Sequence, residues 1–522
     1  MIKAAASIIQ GAAFFVIIAC LNLPALAESP KPALIVFHTN DTHGYVAEER
    51  DSDGRLVKIG YARLKAFIDK ETRAPKLLLD AGDLLQGHPA ANASKGGTIA
   101  GIAALINYDA IAAGNHDFDY GAERLLELNN TFHLNFMAGN ISKKEDNSHL
   151  LPPYLVKNFD GLRVGIFALS TAETPLKTSP ANVAGLTFGS PDDILRLAGL
   201  QVDMLRNKEK ADLIIALTHL GTEARGLPSS EDLARAVPGI DLIVDGHSHA
   251  KLAGLKAGGA LIVSAGAYFE DLGKVEVYRK ADGGFFFSSE LLAAESFAEL
   301  APDKQLAALI NELVMDFDSR MAAVAGYTPI FLNGERQAIR SGETGLGRII
   351  CAAMVWHTGA DAAIFNSGSI RASLQAGDIS RGNILEVLPY NNQVVIVSGI
   401  SGTDILKALE HGYSLPGDGG FPQTYGLEVS VQKREKVIKD QSHPVYDVKS
   451  VMIGGEPLRA DKTYTIAIND FMHDGGDGYD FWSSYTYQTL SPVEDIFLQF
   501  LAVSPAEKLI DLDRSRDLKI LP

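Results

Sequence analysis

The chain has 522 residues, 46% of them apolar and 21% charged, with a formal net charge of −17 at neutral pH. That is ample apolar material for two packed domains. So acidic a surface excludes long nucleic-acid polymers as partners, because those require a basic footprint.

Lys3 precedes a mostly apolar stretch over residues 12–19, and Ala25-Leu26-Ala27 stands just before Glu28. A charged start, a short apolar core and a small-x-small site describe a secretory signal peptide over 1–27. The core is too short to span a bilayer comfortably. Ile18-Ala19-Cys20 also loosely resembles a lipoprotein cleavage box, which would leave a lipid-anchored Cys20. No other segment reads as a membrane span, so the mature protein is expected in the periplasm or secreted. Cys20 and Cys351 are its two cysteines. With Cys20 removed no internal disulfide can form, and Cys351, in an apolar helical stretch, reads as a small buried hydrophobe.

Residues 33–39 form an apolar, β-branched run that breaks at Asn40-Asp41-Thr42-His43. Four more runs end the same way: 76–79 at Asp80-Ala81-Gly82-Asp83, 110–113 at Gly114-Asn115-His116-Asp117, 213–217 at Thr218-His219, and 242–244 at Asp245-Gly246-His247-Ser248-His249. Near-continuous apolar runs bounded by glycine and polar residues read as buried strands. Ligand-type side chains at the carboxyl ends of such strands converge in one crevice, where open α/β sheets place their sites. Two carboxylates, an amide oxygen and several imidazoles suit a pair of divalent cations that activates water against a phosphoryl group.

Each segment alone has a plainer account. Asp41 and His43 fit an Asx-turn beside a surface histidine, and Gly-Asn-His-Asp fits an ordinary turn. His247 and His249 alternate in strand fashion and are expected on one side. Plain turns explain five such endings in one chain poorly.

Leu306, Leu309, Ile310, Leu313, Phe317, Met321 and Val324 recur at helical spacing between residues 302 and 325, and Gly326 stops the pattern. The spacing predicts a linking helix over 301–326, between a metal-site domain over 28–300 and a second domain over 327–522. Beyond it, Arg336 and Arg340 lie four apart, and Asn366-Ser367-Gly368-Ser369-Ile370-Arg371 follows a strand-like run over 362–365. Three arginines in an acidic protein suggest phosphate recognition, because guanidinium forks match phosphate oxygens. Pro389-Tyr390-Asn391-Asn392 and Asn469-Asp470-Phe471 each set an aromatic beside polar groups in an expected loop. Gly475-Gly476-Asp477-Gly478-Tyr479 reads as a turn that something approaches closely. Two such aromatics can clamp a flat base while Asp477 accepts from a ribose hydroxyl; packing under a loop is the alternative.

From Asn40-Asp41-Thr42-His43-Gly44 to Gly475-Gly476-Asp477-Gly478-Tyr479 the chain resembles the secreted 5′-nucleotidase family, within it the bacterial branch that also cleaves UDP-sugars. The resemblance implies an α/β protein: a four-layer calcineurin-like metallophosphoesterase sandwich, a linking helix and a C-terminal α/β 5′-nucleotidase substrate domain. It implies that Asp41, His43, Asp83 and His249 hold one divalent ion and that Asp83, Asn115, His219 and His247 hold a second. The donor set accepts Zn²⁺, Mn²⁺ or Co²⁺ alike. It further implies a catalytic pair, His116 with Asp119, in which the carboxylate fixes the tautomer of the imidazole. Metal-bridged hydroxide is expected to attack phosphorus in line while His116 serves the phosphoryl or leaving oxygen. Arg336, Arg340 and Arg371 are placed on phosphate with Asn366 nearby. Tyr390 and Phe471 are placed about the base, Asn392 at its edge and Asp477 at the ribose.

Some positions depart from the family pattern: Tyr390 where phenylalanine is usual, Ser367 and Ser369 for glycines, Gly345 for an asparagine, and Met472-His473-Asp474 before the glycine-rich turn. They bear on substrate choice rather than hydrolysis. The expected activity is hydrolysis of nucleoside 5′-phosphates, and UDP-sugars besides, by a monomer with small nucleotide or nucleotide-sugar substrates. The alternatives are a 2′,3′-cyclic phosphodiesterase/3′-nucleotidase, a thiosulfohydrolase of the same superfamily, and a silent binding protein. The base clamp argues against the second, and His116 with Asp119 against the third.

Overall fold

A computed structural model describes residues 31–521, apart from 223–226, 316, 318–320 and 439–440. The expected signal peptide over 1–27, with Cys20, lies outside the described residues. Among these, no helix is long and apolar enough to cross a membrane.

Two six-stranded sheets dominate the first half. In spatial order the first runs Phe285–Ala293, Asp271–Arg279, Leu34–Thr39, Lys76–Asp80, Ala110–Ala112 and Phe136–Met137. The second runs Lys251–Ala257, Ala260–Ala265, Leu242–Asp245, Leu213–His219, Leu162–Ser170 and Tyr154–Phe159. Central strands are parallel and outer ones antiparallel, except Phe136–Met137, which pairs in parallel with Ala110–Ala112. Parallel strands covered on both faces need continuous apolar sequence, and every residue of Leu34–Thr39 and Leu213–His219 is buried.

Period-two alternation sorts those side chains into layers. Leu34 and Val36 join Leu213, Ile215 and Leu217 in the core between the sheets. Ile35 and Phe37 turn the other way, onto Tyr61, Leu64 and Ile102. Ile214 and Ala216 pack on Ile194, Ala198 and Leu233. The result is helix, sheet, sheet, helix: the expected four-layer sandwich. Each such buried aliphatic or aromatic side chain contributes about 1.5–3 kcal/mol.

The second half carries a five-stranded sheet, ordered Pro422–Tyr425, Ala362–Asn366, Thr463–Asn469, Gln393–Ser401 and Thr486–Pro492. One face packs Ala363 and Phe365 on Ile349, Ile350 and Phe497 of flanking helices. The other packs Ile364 and Ile466 on Ile405 and Leu409. Cys351 is a buried free thiol that donates to the Gln423 carbonyl at 3.3 Å, as a small core residue would.

The linking helix is shorter than its apolar spacing suggests. It starts at Lys304, capped by the Asp303 side chain, runs to Ile310, widens into a π turn over Asn311–Met315 and is helical again at Phe317 and Met321, ending before the strand at Val324. Val324–Thr328 is a strand paired antiparallel with Gly377–Ser380, so Val324, Ala325 and Gly326 are not a helix end. Apolar residues at both ends of that stretch satisfy a helical period, but an available strand partner captures the second end.

Candidate active site

The strand ends turn through left-handed backbone. Asp41 has φ 48°, His43 49°, Asp83 57°, His247 77° and His249 59°. Non-glycine residues reach this region rarely, at a cost of roughly 1–3 kcal/mol each, and hold it only when their surroundings enforce it. Buried carboxylates supply that enforcement. Asp117 accepts the backbone N–H groups of Asp83, Leu84 and Leu85 at 3.0 Å and of Gly114 at 2.9 Å, tying two strand ends together. Asp245 accepts from Thr218 Oγ1 at 2.7 Å and Leu220 N at 3.1 Å. The two tied loops touch backbone to backbone, and a Cβ on Gly114 would lie 2.4 Å from Asp83 N.

The strand expectation for His247 and His249 does not hold. Their strand ends at Asp245, and both residues sit on left-handed backbone beyond it. The rings consequently part. His249 Nε2 lies 3.4 Å from Asp41 Oδ1 and 3.2 Å from His43 Nε2. His247 Nδ1 lies 2.9 Å from Asn115 Oδ1, and its Nε2 meets Glu173 Oε1 at 2.5 Å.

Donor atoms of Asp41, His43 and His249 fall within 4.8 Å of one another, and so do those of Asp41, Asp83 and His219. His219 Nδ1 is bound to the Ala81 carbonyl at 2.6 Å, which aims Nε2 at Asp83 Oδ2, 3.3 Å away. His43 Nδ1 lies 3.1 Å from the Gln86 carbonyl, aiming its Nε2 inward in the same way. Asp41 Oδ1 and His219 Nε2 are buried and meet only ionisable neighbours, His249 Nε2 at 3.4 Å and Asp83 Oδ2 at 3.3 Å, without well-formed hydrogen bonds. Burial pushes Asp41 up to about 6. Burial also opposes charge on His219 and Asp83, but their mutual attraction wins: His219 is pushed up to about 10 and the Asp83 carboxyl is held well below its usual range. Buried carboxylates, converging imidazole nitrogens and donor atoms without well-formed hydrogen bonds fit divalent cations, for which O and N donors of this kind are suited.

His116 stands beside this cluster without joining either donor group. Its backbone N–H donates to Asp83 Oδ1 at 2.8 Å, and its Nδ1 lies 2.8 Å from Asp119 Oδ2. Its ring is 5.5 Å from that of His43 and stacks on Tyr390 at 5.7 Å with 25° between planes.

Every substrate-side residue named from the sequence lines one cavity of about 630 Å³, together with Asp83, Asn115, His116, Asp119, His247 and His249. Arg336 and Arg340 bracket a single helical turn, Arg336–Ile339. Burial and the guanidiniums of Arg336 and Arg371 push Arg340 down to about 9, a repulsion that an anion between them would relieve. Arg371 lies over the Tyr390 ring at 5.9 Å. Asn366 donates to Asp477 Oδ2 at 2.9 Å, and Asn392 to Asp470 Oδ1 at 2.9 Å. The expected loop at Asn469 is a short helix, Asp470–His473, capped by the Asn469 side chain. A Cβ on Gly476 would lie 2.5 Å from the Phe471 ring, so it is this aromatic that approaches the glycine-rich turn.

Sequence reasoning passed over Glu173 and Lys177, which line the cavity, and Tyr268 beside it, and it gave Asp117 no role of its own. Glu173 lies just past the parallel strand Leu162–Ser170, so the strand-end rule applied there points to it. Tyr268, with φ 57°, sets its ring 5.5 Å from that of His43 and hydrogen-bonds Arg371. No local pattern marks it.

Two family descriptions match the chain: calcineurin-like phosphoesterase over residues 34–251 and 5′-nucleotidase, C-terminal domain, over residues 322–484. A trifunctional nucleotide phosphoesterase of Bacillus subtilis is 31% identical, over 87% of this chain and 32% of its own length. The chain therefore spans about a third of that relative. A 5′-nucleotidase of Vibrio cholerae is 28% identical over 91% of each. The solved 5′-nucleotidase precursor of Thermus thermophilus superposes with a TM-score of 0.79 at 26% identity, covering 94% of this chain and 99% of its own.

Proposed function

Because the chain belongs to the 5′-nucleotidase family of calcineurin-like phosphoesterases, we propose that it hydrolyses nucleoside 5′-phosphates, and UDP-sugars as a second substrate class. The observation that carries this is His116, paired with Asp119, standing between the buried donor cluster and the Tyr390 ring in one cavity. That is where a phosphoryl group must lie if its nucleoside rests against Tyr390.

We assign Asp41, His43, Asp83 and His249 to one divalent ion and Asp83, Asn115, His219 and His247 to another. When bound, such ions polarise phosphoryl oxygens and make water nucleophilic near neutral pH. The chain's own residues do the rest. Arg336, Arg340 and Arg371 clamp the phosphate, and Asn366 supports that loop. His116, oriented by Asp119, donates a hydrogen bond to a phosphoryl oxygen and serves the leaving 5′-oxygen. Tyr390 and Phe471 hold the base, Asn392 contacts its edge, and Asp477 accepts from the ribose hydroxyls. The cavity is large enough for a nucleotide-sized ligand.

We further take 28–300 as the metal domain, 327–522 as the nucleotide domain and 301–326 as the joint between them, in an exported chain that begins at Glu28. Cross-linking the two domains in an open arrangement then abolishes turnover and spares metal uptake; unchanged turnover ends that idea. The activity itself is tested by phosphate release from AMP, 3′-AMP, 2′,3′-cyclic AMP and UDP-glucose, with a phosphatase step to reveal phosphomonoester products. Turnover of AMP and UDP-glucose supports the proposal, whereas turnover confined to the cyclic and 3′ substrates replaces it with the cyclic phosphodiesterase reading.

A further inference from the structure

Thr174–Lys177 is a single helical turn that begins at Glu173. At its start the Glu173 carboxylate meets His247 Nε2. At its end Lys177 Nζ lies 2.9 Å from Asp477 Oδ1 and 2.7 Å from Asp418 Oδ1. Residues four apart on such a turn share a face. One turn from the first half of the chain therefore touches a metal-ligand candidate at one end and the candidate ribose acceptor at the other.

Asp477 is gripped from two sides. Asn366, from its own half, donates to Oδ2 at 2.9 Å, while Lys177 reaches Oδ1 from the opposite half. Asp477 also sits on left-handed backbone, φ 53°, which fixes where its side chain can point. The pair is sheltered: the Lys177 side chain is 18% exposed and that of Asp477 3%. Salt screens such a pair little, and removing one partner leaves the other charge uncompensated. A carboxylate oxygen that already accepts one hydrogen bond retains a lone pair for a second, so the grip leaves Asp477 able to accept from a diol.

We propose that Lys177 is a positioning residue for the ribose subsite: reaching across from the metal half, it fixes Asp477 to accept the vicinal hydroxyls of a ribonucleotide. This rests on Asp477 being the ribose acceptor.

The test compares KM and kcat for AMP and for its 2′,3′-dideoxy analogue in the metal-loaded wild type, Lys177→Met and Lys177→Arg. The expected result is an AMP KM raised about tenfold in Lys177→Met with kcat within about twofold, an unmoved dideoxy KM, and recovery in Lys177→Arg. A Lys177→Met enzyme that keeps the full advantage of AMP over the dideoxy analogue overturns the proposal. So does a parallel rise in both KM values that Lys177→Arg does not correct, which is the mark of a structural role alone. A wild type with no such advantage instead overturns the placement of ribose at Asp477. Lys177→Gln, which keeps a donor without the charge, reads the same ratio if the methionine variant does not fold.

Discussion

In the donor cluster beside the cavity, Asp41 Oδ1 and His219 Nε2 are buried without well-formed hydrogen bonds. At the nucleotide end, Asn366 and Asp477 bond each other, Asn392 bonds Asp470 and Lys177 bonds Asp477. Burying a polar atom without a hydrogen bond costs about 1–3 kcal/mol, so the first end gains most from a ligand that supplies the missing bonds. The second end is already bonded internally, and groups such as Asp477 keep a free lone pair for a further hydrogen bond. On the proposed assignment, chemistry belongs to a strained set of strand ends and selectivity to an internally bonded network.

Breaking the strained end has the largest consequence. His116→Ala removes the group that faces both the cluster and the substrate and lowers kcat by about 10²–10⁴-fold. Single-turnover phosphate release measures this, and a loss confined to KM would move His116 to the selective end. Asp117→Ala comes next, because it strips partners from four backbone N–H groups under strained loops. Its expected cost is about 2–4 kcal/mol in denaturant unfolding, and a cost within error would mean that the loops hold themselves. Tyr390→Ala tests the junction: it raises AMP KM about tenfold and lowers kcat less than His116→Ala does, since the ring touches both regions.

The smallest effect lies at the nucleotide end. Glu494 is 5% exposed with Oε2 unpartnered, and burial pushes its carboxyl from 4.5 up to about 7. A raised acid favours the folded state fully below pH 4.5, and that contribution is lost as pH rises through about 7. The Glu494→Gln variant is therefore expected to gain Tm over the wild type between pH 5 and pH 8. An equal Tm difference at both pH values counts against a buried, titrating Glu494.

The layered architecture and the donor cluster were legible because parallel strands buried on both faces must be apolar throughout, so their polar endings stand out. Asp41, Asp83, Asn115 and His219 all follow from that contrast. That contrast also marked His247 and His249, but their expected strand alternation failed, because left-handed backbone replaces it, and at Val324 strand pairing ends the helical period. Glu173 follows the strand Leu162–Ser170 and was within reach of the same rule, but Lys177 was hidden for another reason. Its partner Asp477 lies 300 residues away, and no local period reports a contact made only by tertiary folding.

Asp117 also bears on which parts of the molecule open. Loops at a sheet rim ordinarily fray, and their amides exchange with solvent far faster than those of the strands. Here the N–H groups of Asp83, Leu84, Leu85 and Gly114 all end on one buried carboxylate. Hydrogen exchange at Asp83, Leu84 and Leu85 then requires the departure of a side chain from another loop, so the rim opens with the sheet beneath it rather than ahead of it. A site on loops thereby acquires the kinetic lifetime of a core.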